Sequence, residues 1–548
     1  MPALSSYARN VAPVDVAVIG AGINGLAVAR EAARRGLSVV LIDQDDIGAR
    51  TSAISTRLIH GGLKYLERLE LHLVYESIRE RNILLKRAPH LVHHYPMLVP
   101  FVKGQSRPGW LVACGLMLHD VLAIGKPLPF NRIVFGARMR RDWPELAEGG
   151  VKWGGLFHDA HVPLTERLSL ELAVDAHEHG ATLLTHSKVE SLVRSGGRIS
   201  GIQYRDRLDG GLKQIDAKLV VNAAGPWVDE VLALAGGHDR KMGPTKGSHL
   251  VVDPFDGAPD SCIFFESPDD ARPMFVLPWN GRYMIGTTDI PYNDSIDSIV
   301  IDGDESAYLL NAVNRLIPRA RLSTEDVLWS YSGVRPLPYV GELDDPSKVS
   351  RDHEILVHSG SSAGLITLIG GKLTTHRALG ELVAKKIERA LGRKPGASPT
   401  RNAALPGAPT GEWAEYREGF IGRTSLPAAA AARLVDTYGV AAESVARLID
   451  ESPELARVVD PDSGALAAEA VHAVVNEGAF TLEDVVLRRM VVALNGDVGL
   501  AAAPAIAAVL VEHAGWTRER ADSELDRYRQ SMRRFMPRVV RAENAAGN

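Results

Sequence analysis

Between Ser52 and Tyr65 the chain gathers Ser52, Ser55, Thr56, Arg57, His60, Lys64 and Tyr65, with the glycine pair Gly61-Gly62 beside the imidazole. That mixture suits two jobs. Hydroxyls and backbone N–H groups can complete a pyrophosphate cradle, while His60, Lys64 and Tyr65 project toward whatever the cofactor oxidises. Two later segments, Tyr331-Ser332-Gly333-Val334-Arg335-Pro336 and Gly370-Gly371-Lys372, bring more cations beside backbone-permissive glycines. Several convergent cations match a small phosphorylated or carboxylated substrate, because a guanidinium can bind phosphate through two parallel hydrogen bonds. The bland alternative is a surface or core position for each residue, and a structural ion pair for Arg335.

These side chains need a scaffold that turns sharply beside an anion. The apolar run Val14 to Ile19 leads into Gly20-Ala21-Gly22-Ile23-Asn24-Gly25, then an alanine-rich helical pattern, then Val39-Val40-Leu41-Ile42-Asp43. Strand, glycine turn, helix and a second strand ending in a carboxylate form the half-fold that holds a dinucleotide. Glycine allows the tight turn, the approach of pyrophosphate to backbone and close helix–sheet packing. The phosphates then meet unpaired N–H groups and the positive end of the helix dipole. Asp43, eighteen residues beyond Gly25, is spaced to accept hydrogen bonds from a ribose diol. This fingerprint does not separate NAD from FAD; the late Gly370-Gly371-Lys372 segment and the discontinuous arrangement it implies argue for FAD.

The 548 residues exceed one ordinary domain at about 150 residues each, and 45% hydrophobic with 24% charged residues suits a folded globular protein. A net charge of −5 gives no reason to expect nucleic acid as partner. Cys114 and Cys262 lack neighbouring cysteines, so no metal site or disulfide is expected, and the usage fits a reducing cytoplasm. No signal-like apolar core precedes Val14, which points to a cytosolic protein. Trp110 to Ile124, interrupted by His119 and Asp120, falls short of the about 20 residues that span a bilayer. It reads as a core or an interfacial helix, and with Lys103 and Arg107 it is the best candidate membrane-facing surface.

The expected architecture is α/β with an α+β substrate side. A discontinuous Rossmann-like FAD-binding domain takes 14–90, 151–245 and 346–395. A substrate-side or membrane-facing insertion takes 91–150, a mixed-sheet substrate domain 246–345, and an all-helical C-terminal domain 410–535. Within this plan a helix runs from Gly62 to about Leu85, a strand from Ile355 to Ser359, and a breaker-rich linker from Arg393 to Pro409. Thr481-Leu482-Glu483-Asp484 opens a helix to Leu494 with a capping-box-like start.

Taken in order, the motifs resemble those of the FAD-dependent, quinone-linked glycerol-3-phosphate dehydrogenases, within the wider glycine-oxidase-like (DAO) group. The resemblance rests on the fingerprint at 20–25, Ser55 through Glu67, Ala88-Pro89-His90-Leu91 and Asn222-Ala223-Ala224-Gly225-Pro226-Trp227-Val228. It continues through Lys246-Gly247-Ser248-His249, Ile285-Gly286-Thr287-Thr288-Asp289, Tyr331 through Leu337 and Gly370 through Thr375. It covers about residues 14–391, and the stretch Thr481 through Arg489 is similar to the family's helical C-terminal domain.

The implied reaction is oxidation of sn-glycerol 3-phosphate to dihydroxyacetone phosphate by hydride transfer to flavin N5, with electrons passed on to membrane quinone. The implied cofactor wall comprises Gly20, Ala21, Gly22, Asn24, Gly25 and Asp43. A first loop adds Thr51, Ser52, Ser55, Thr56, Leu58, His60, Gly61 and Gly62. Val189, Ala223, Gly225 and Trp227 follow from the middle of the chain, and Gly371, Lys372, Leu373 and Thr374 from its late part. Lys64, Tyr65, Arg335 and Lys372 hold substrate, while His60, Tyr65, His249, Arg335 and Lys372 surround the chemistry, with His249 preferred over His60 as base. Attachment to the cytoplasmic face of a membrane and a homodimer are compatible with the resemblance; no metal is implied. Lys64 stands where the family commonly has arginine, which opens a longer polyol phosphate such as erythritol 4-phosphate as substrate. An oxygen-using glycerol-3-phosphate oxidase, an amine or amino-acid oxidase and a flavin-binding structural or regulatory protein are the competing readings.

Overall fold

A computed structural model of the chain describes residues 11–102, 105–237, 239–341 and 352–536. The segment before Val11 and Lys103 therefore lie outside the described residues. Val14–Ile19 and Val39–Ile42 are almost wholly buried apolar runs, as strands covered on both faces must be. They lie parallel to each other, and Val14–Ile19 also pairs in parallel with Leu212–Asn222. Leu212–Asn222 in turn pairs in parallel with Leu365–Ile369. Ile19, Ile42 and Asn222 end their strands in register with one another, and Asn222 pairs with Thr367 within Leu365–Ile369. Four strand ends therefore open on one edge, the place where open α/β sheets bind ligands.

Helix Ile23–Arg34 packs against the sheet and against His376–Ala390. A Cβ on Gly380 would stand 2.6 Å from the Ala27 carbonyl, so the two backbones meet directly. The nucleotide domain is thus closed by chain from beyond residue 350, as the sequence leads one to expect. Leu365–Ile369, the strand beside Leu212–Asn222, is not among the expected strands. Its five residues are all buried and show no alternation, so periodicity does not distinguish it from a buried helix segment.

The second sheet has ten strands and holds the substrate side. Thr245–Val252 and Val327–Arg335 pair antiparallel with His249 opposite Tyr331 and Thr245 opposite Arg335. Trp153–His161 also belongs to this sheet, although it falls inside the 151–245 stretch assigned to the nucleotide domain. The helix expected from Gly62 to Leu85 is broken: Gly62 at φ +82 and Leu69 at φ +56 bracket a tight turn at Leu63–Arg68. The regular helix then runs Leu71–Arg87.

Helices dominate residues 413–532, with a small hairpin of Val458–Asp460 and Ala465–Leu466 among them. At Thr481 the expected reciprocal cap forms, Asp484 N–H to Thr481 Oγ1 at 3.1 Å and Thr481 N–H to Asp484 Oδ2 at 2.9 Å. The helix it opens stops early, because Asp484–Arg489 winds as a π-helix and Val491 takes φ +54. The breaker-rich 393–409 stretch is a packed strap and not a free linker. Thr400 and Leu405 are buried, and Gly407 N–H donates to Glu171 at 3.1 Å.

Candidate functional site

A cavity of about 680 Å³ opens where the parallel strands end, between the nucleotide sheet and the substrate sheet. Its first wall is the glycine turn. Gly20 takes φ +107 and donates to the Ile42 carbonyl at 2.8 Å, and a Cβ there would lie 2.5 Å from the Ala223 carbonyl oxygen. Ser52 Oγ accepts from Ile23 N–H at 2.8 Å, which fixes the 50s loop on the helix N-terminus. Gly371, at φ +94, packs against Asn24, whose Nδ2 donates to the Gly370 carbonyl at 3.1 Å.

Most of the expected cofactor wall comes together here. Gly20, Gly22, Asn24, Asp43, Thr51, Ser52, Ser55, Thr56, Leu58 and His60 line the cavity, with Val189, Ala223, Gly225 and Trp227 opposite. Gly371, Lys372, Leu373 and Thr374 complete it. Ala21, Gly25, Gly61 and Gly62 do not line it. Gly25 is needed for packing instead, since a Cβ there would sit 1.8 Å from the Gly20 carbonyl oxygen. Asn24 Oδ1, Trp227 Nε1 and Lys372 Nζ are buried without a hydrogen-bond partner among the described residues. Glycine surfaces that a Cβ would fill, an N-terminal helix end and orphaned polar atoms fit a dinucleotide cofactor.

Asp43 accepts from Ala21 N–H at 2.6 Å and from Asp45 N–H at 2.8 Å. Burial and the neighbouring Asp45 carboxylate push its carboxyl up to about 6 from 3.8, against the pull of those N–H groups. A raised acid stabilises the fold while protonated; the contribution is complete below the unfolded value and is lost as pH rises through about 6. A ribose diol donating to Asp43 requires the opposite, deprotonated form. Lowering pH from about 7 to 5 is therefore expected to weaken binding of a dinucleotide to the apoprotein by about tenfold, and Asp43→Asn to flatten the dependence. Affinity that stays constant over that range would remove Asp43 from the ribose contact.

At the other end of the cavity stand His60, Tyr65, His249, Arg335 and Lys372. His60 Nδ1 lies 3.7 Å from Asp159 Oδ2. Burial opposes the charge of Asp159, but Arg81 at 2.7 Å and His60 overcome it and hold that carboxyl down at about 2. His249 is buried, stacked on Tyr331 with ring centres 4.8 Å apart, and its Nε2 meets Thr56 Oγ1 at 3.0 Å. Burial, with Arg335 and Arg57 adding repulsion, pushes His249 down to about 3. His249 is thus a fixed neutral imidazole, whereas His60 has a carboxylate behind it and an open face on the cavity.

Arg335 ends the strand Val327–Arg335 and is held by Asp289 Oδ1 at 3.0 Å, Thr287 Oγ1 at 3.0 Å and the Thr288 carbonyl at 3.1 Å. The ion-pair alternative for Arg335 is therefore realised, yet the guanidinium also forms part of the cavity wall. Lys372 Nζ lies 4.2 Å from the Tyr65 ring centre, a cation–π contact. Lys64 does not line the cavity; on the tight turn Leu63–Arg68 it is Tyr65 that does.

Sequence reasoning missed Arg50, which sits 5.6 Å over the Trp227 ring, and Asp159. His158-Asp159-Ala160-His161, three polar groups among the last four residues of a strand, was the available signal for the second.

The geometry agrees with the comparisons. A family described as FAD dependent oxidoreductase (DAO) matches residues 15–377, and one described as the C-terminal domain of alpha-glycerophosphate oxidase matches residues 398–521. A glycerol-3-phosphate dehydrogenase of Synechocystis sp. is 40% identical, over 94% of this chain and 96% of its own length. One from Mycobacterium leprae is 35% identical, over 94% of this chain and 87% of its own. Among solved structures, the glycerol-3-phosphate dehydrogenase of Bacillus halodurans complexed with FAD superposes with a TM-score of 0.78 at 26% identity, over 97% of this chain and 96% of that one. A nucleotide sheet completed from late in the chain, a glycine-built cradle and relatives alike over nearly their whole length have one reading: the chain belongs to the FAD-dependent oxidoreductases of the DAO family, in their glycerol-3-phosphate dehydrogenase branch.

Proposed function

We propose that the protein oxidises sn-glycerol 3-phosphate to dihydroxyacetone phosphate. The observation that carries the reading is one cavity wall bearing Arg335 and the hydrogen-bond-orphaned Lys372 Nζ beside His60, which has the ionised Asp159 behind it. A buried ammonium without a partner is costly until an anion reaches it. Arg335 and Lys372 bind the phosphate group of the substrate, and Tyr65 holds Lys372 through its ring. His60 Nε2 takes the proton of the carbinol hydroxyl, while Asp159 orients the ring and stabilises the imidazolium that results. Neutral His249 orients the substrate oxygen. FAD, held by the Gly20–Gly25 turn, the 51–58 loop and Gly371–Thr374, supplies the two-electron acceptor.

Substrate comparison tests this directly. Removing the phosphate leaves the Lys372 ammonium without its anion, so kcat/KM for glycerol falls at least about a hundredfold below that for sn-glycerol 3-phosphate. Equal turnover of both would overturn the assignment.

Electrons then pass to a quinone, with the protein resting on the cytoplasmic face of a bilayer. The support is helix Gly109–Leu122, which turns Trp110, Leu111, Met117, Leu118 and Val121 to solvent, with Ile124 and Phe130 following. Among the described residues no helix is long and apolar enough to cross a membrane. An exposed apolar face of this kind suits interfacial docking. Wild-type protein is expected to sediment with anionic lipid vesicles. Trp110→Asp/Val121→Asp stays in the supernatant and keeps dye-linked turnover within about twofold. Undiminished vesicle binding by the double variant contradicts the docking face, and peroxide formed in proportion to substrate favours oxygen as acceptor.

A further inference from the structure

Asp46 follows the ribose-side Asp43 in the loop after the second strand and lines the cofactor cavity. Only 1% of it is exposed, so its charge has to be met by protein. The groups that meet it come from more than 400 positions away: Arg488 Nε at 2.7 Å, Arg489 Nη1 at 2.6 Å and Arg489 Nη2 at 2.9 Å. Asp484–Arg489 is a π-helix, a form frequent at functional sites, with Met490 N–H bonded to the Val485 carbonyl at 2.9 Å, and both of its terminal guanidiniums reach Asp46.

The same turn grips the loop from its other side. Asp484 Oδ2 accepts from His186 Nε2 at 2.9 Å, and His186 N–H donates to the Asp45 carbonyl at 2.9 Å. Asp46, His186 and Asp484 bring ligand atoms within 4.8 Å of one another, but the two guanidiniums already balance the carboxylates. The loop in turn touches the glycine turn, through Gly48 N–H to the Ala21 carbonyl at 2.9 Å.

We propose that Arg488 and Arg489 are positioning residues for FAD: the C-terminal domain clamps Asp46 and so holds the loop 43–50 in the shape that accepts the cofactor. The helical domain, which lends no side chain to the cofactor cavity among the described residues, then acts on it through this loop.

The test measures the FAD dissociation constant of apoprotein by flavin fluorescence, with the unfolding temperature of each apoprotein taken alongside. Asp46→Asn and Arg489→Met each raise the constant at least about tenfold, and the double variant is no worse than Asp46→Asn alone, because the Arg489 contact is among those that Asp46→Asn removes. Arg489→Lys, which keeps the charge and loses the fork, raises it about threefold or more and decides the matter if Arg489→Met does not fold. The control is Arg282→Met, which unties the same domain from the substrate sheet at Asp462, 2.8 Å away, and leaves the constant within about twofold. An unchanged constant in folded Arg489→Met or Arg489→Lys overturns the proposal, as does an equal loss in Arg282→Met.

Discussion

Replacing His60 by Asn lowers kcat for sn-glycerol 3-phosphate by about 10² to 10⁴, the range that loss of a positioned proton acceptor produces, while FAD stays bound. His60 contributes its side chain to the cavity and its backbone N–H to Thr374 Oγ1, at 3.1 Å. Asparagine preserves that backbone bond, so the loss falls on the chemistry. The equivalent change at His249 costs less. Burial and two nearby guanidiniums already hold that imidazole down at about 3, and a group so reluctant to be protonated gives up little as a base. Measured kcat for the two variants ranks them, and a larger loss at His249 would restore it as the proton acceptor.

Gly20→Ala is expected to yield colourless protein, with FAD affinity reduced by at least about a hundredfold. Two effects add. Alanine at φ +107 is strained whatever its surroundings. Its Cβ would also meet the Ala223 carbonyl oxygen at 2.5 Å and carbon at 2.8 Å, prising apart the strands whose ends form the cradle. Gly36→Ala separates these terms. Gly36 lies in the same β-α-β unit at φ +73, and a Cβ added there would meet nothing within 4 Å, so that variant carries only backbone strain and keeps its flavin. Absorbance of the purified proteins in the flavin's visible band reads both.

The nucleotide half of the site was legible in sequence because local rules carry it. A glycine turn between buried strands with a following carboxylate admits few other structures, and Gly20, Asp43 and Ser52 stand where that pattern puts them. Contacts made across the fold were less legible. Leu365–Ile369 was missed because a strand buried on both faces loses its alternation. Lys64 was placed on the wall by its neighbours, but Gly62 and Leu69 wind the chain into a tight turn that presents Tyr65 instead. The proposal of His60 over His249 as base rests on Asp159, Arg57 and Arg335, whose proximity is set only by tertiary packing.

An anaerobic titration of FAD-loaded protein with sn-glycerol 3-phosphate, followed in the flavin's visible absorbance with glycerol and erythritol 4-phosphate alongside, tests the central assignment most directly. Rapid bleaching by sn-glycerol 3-phosphate, with little by glycerol, is the predicted result. A flavin that sn-glycerol 3-phosphate does not bleach, whether or not erythritol 4-phosphate does, would contradict it.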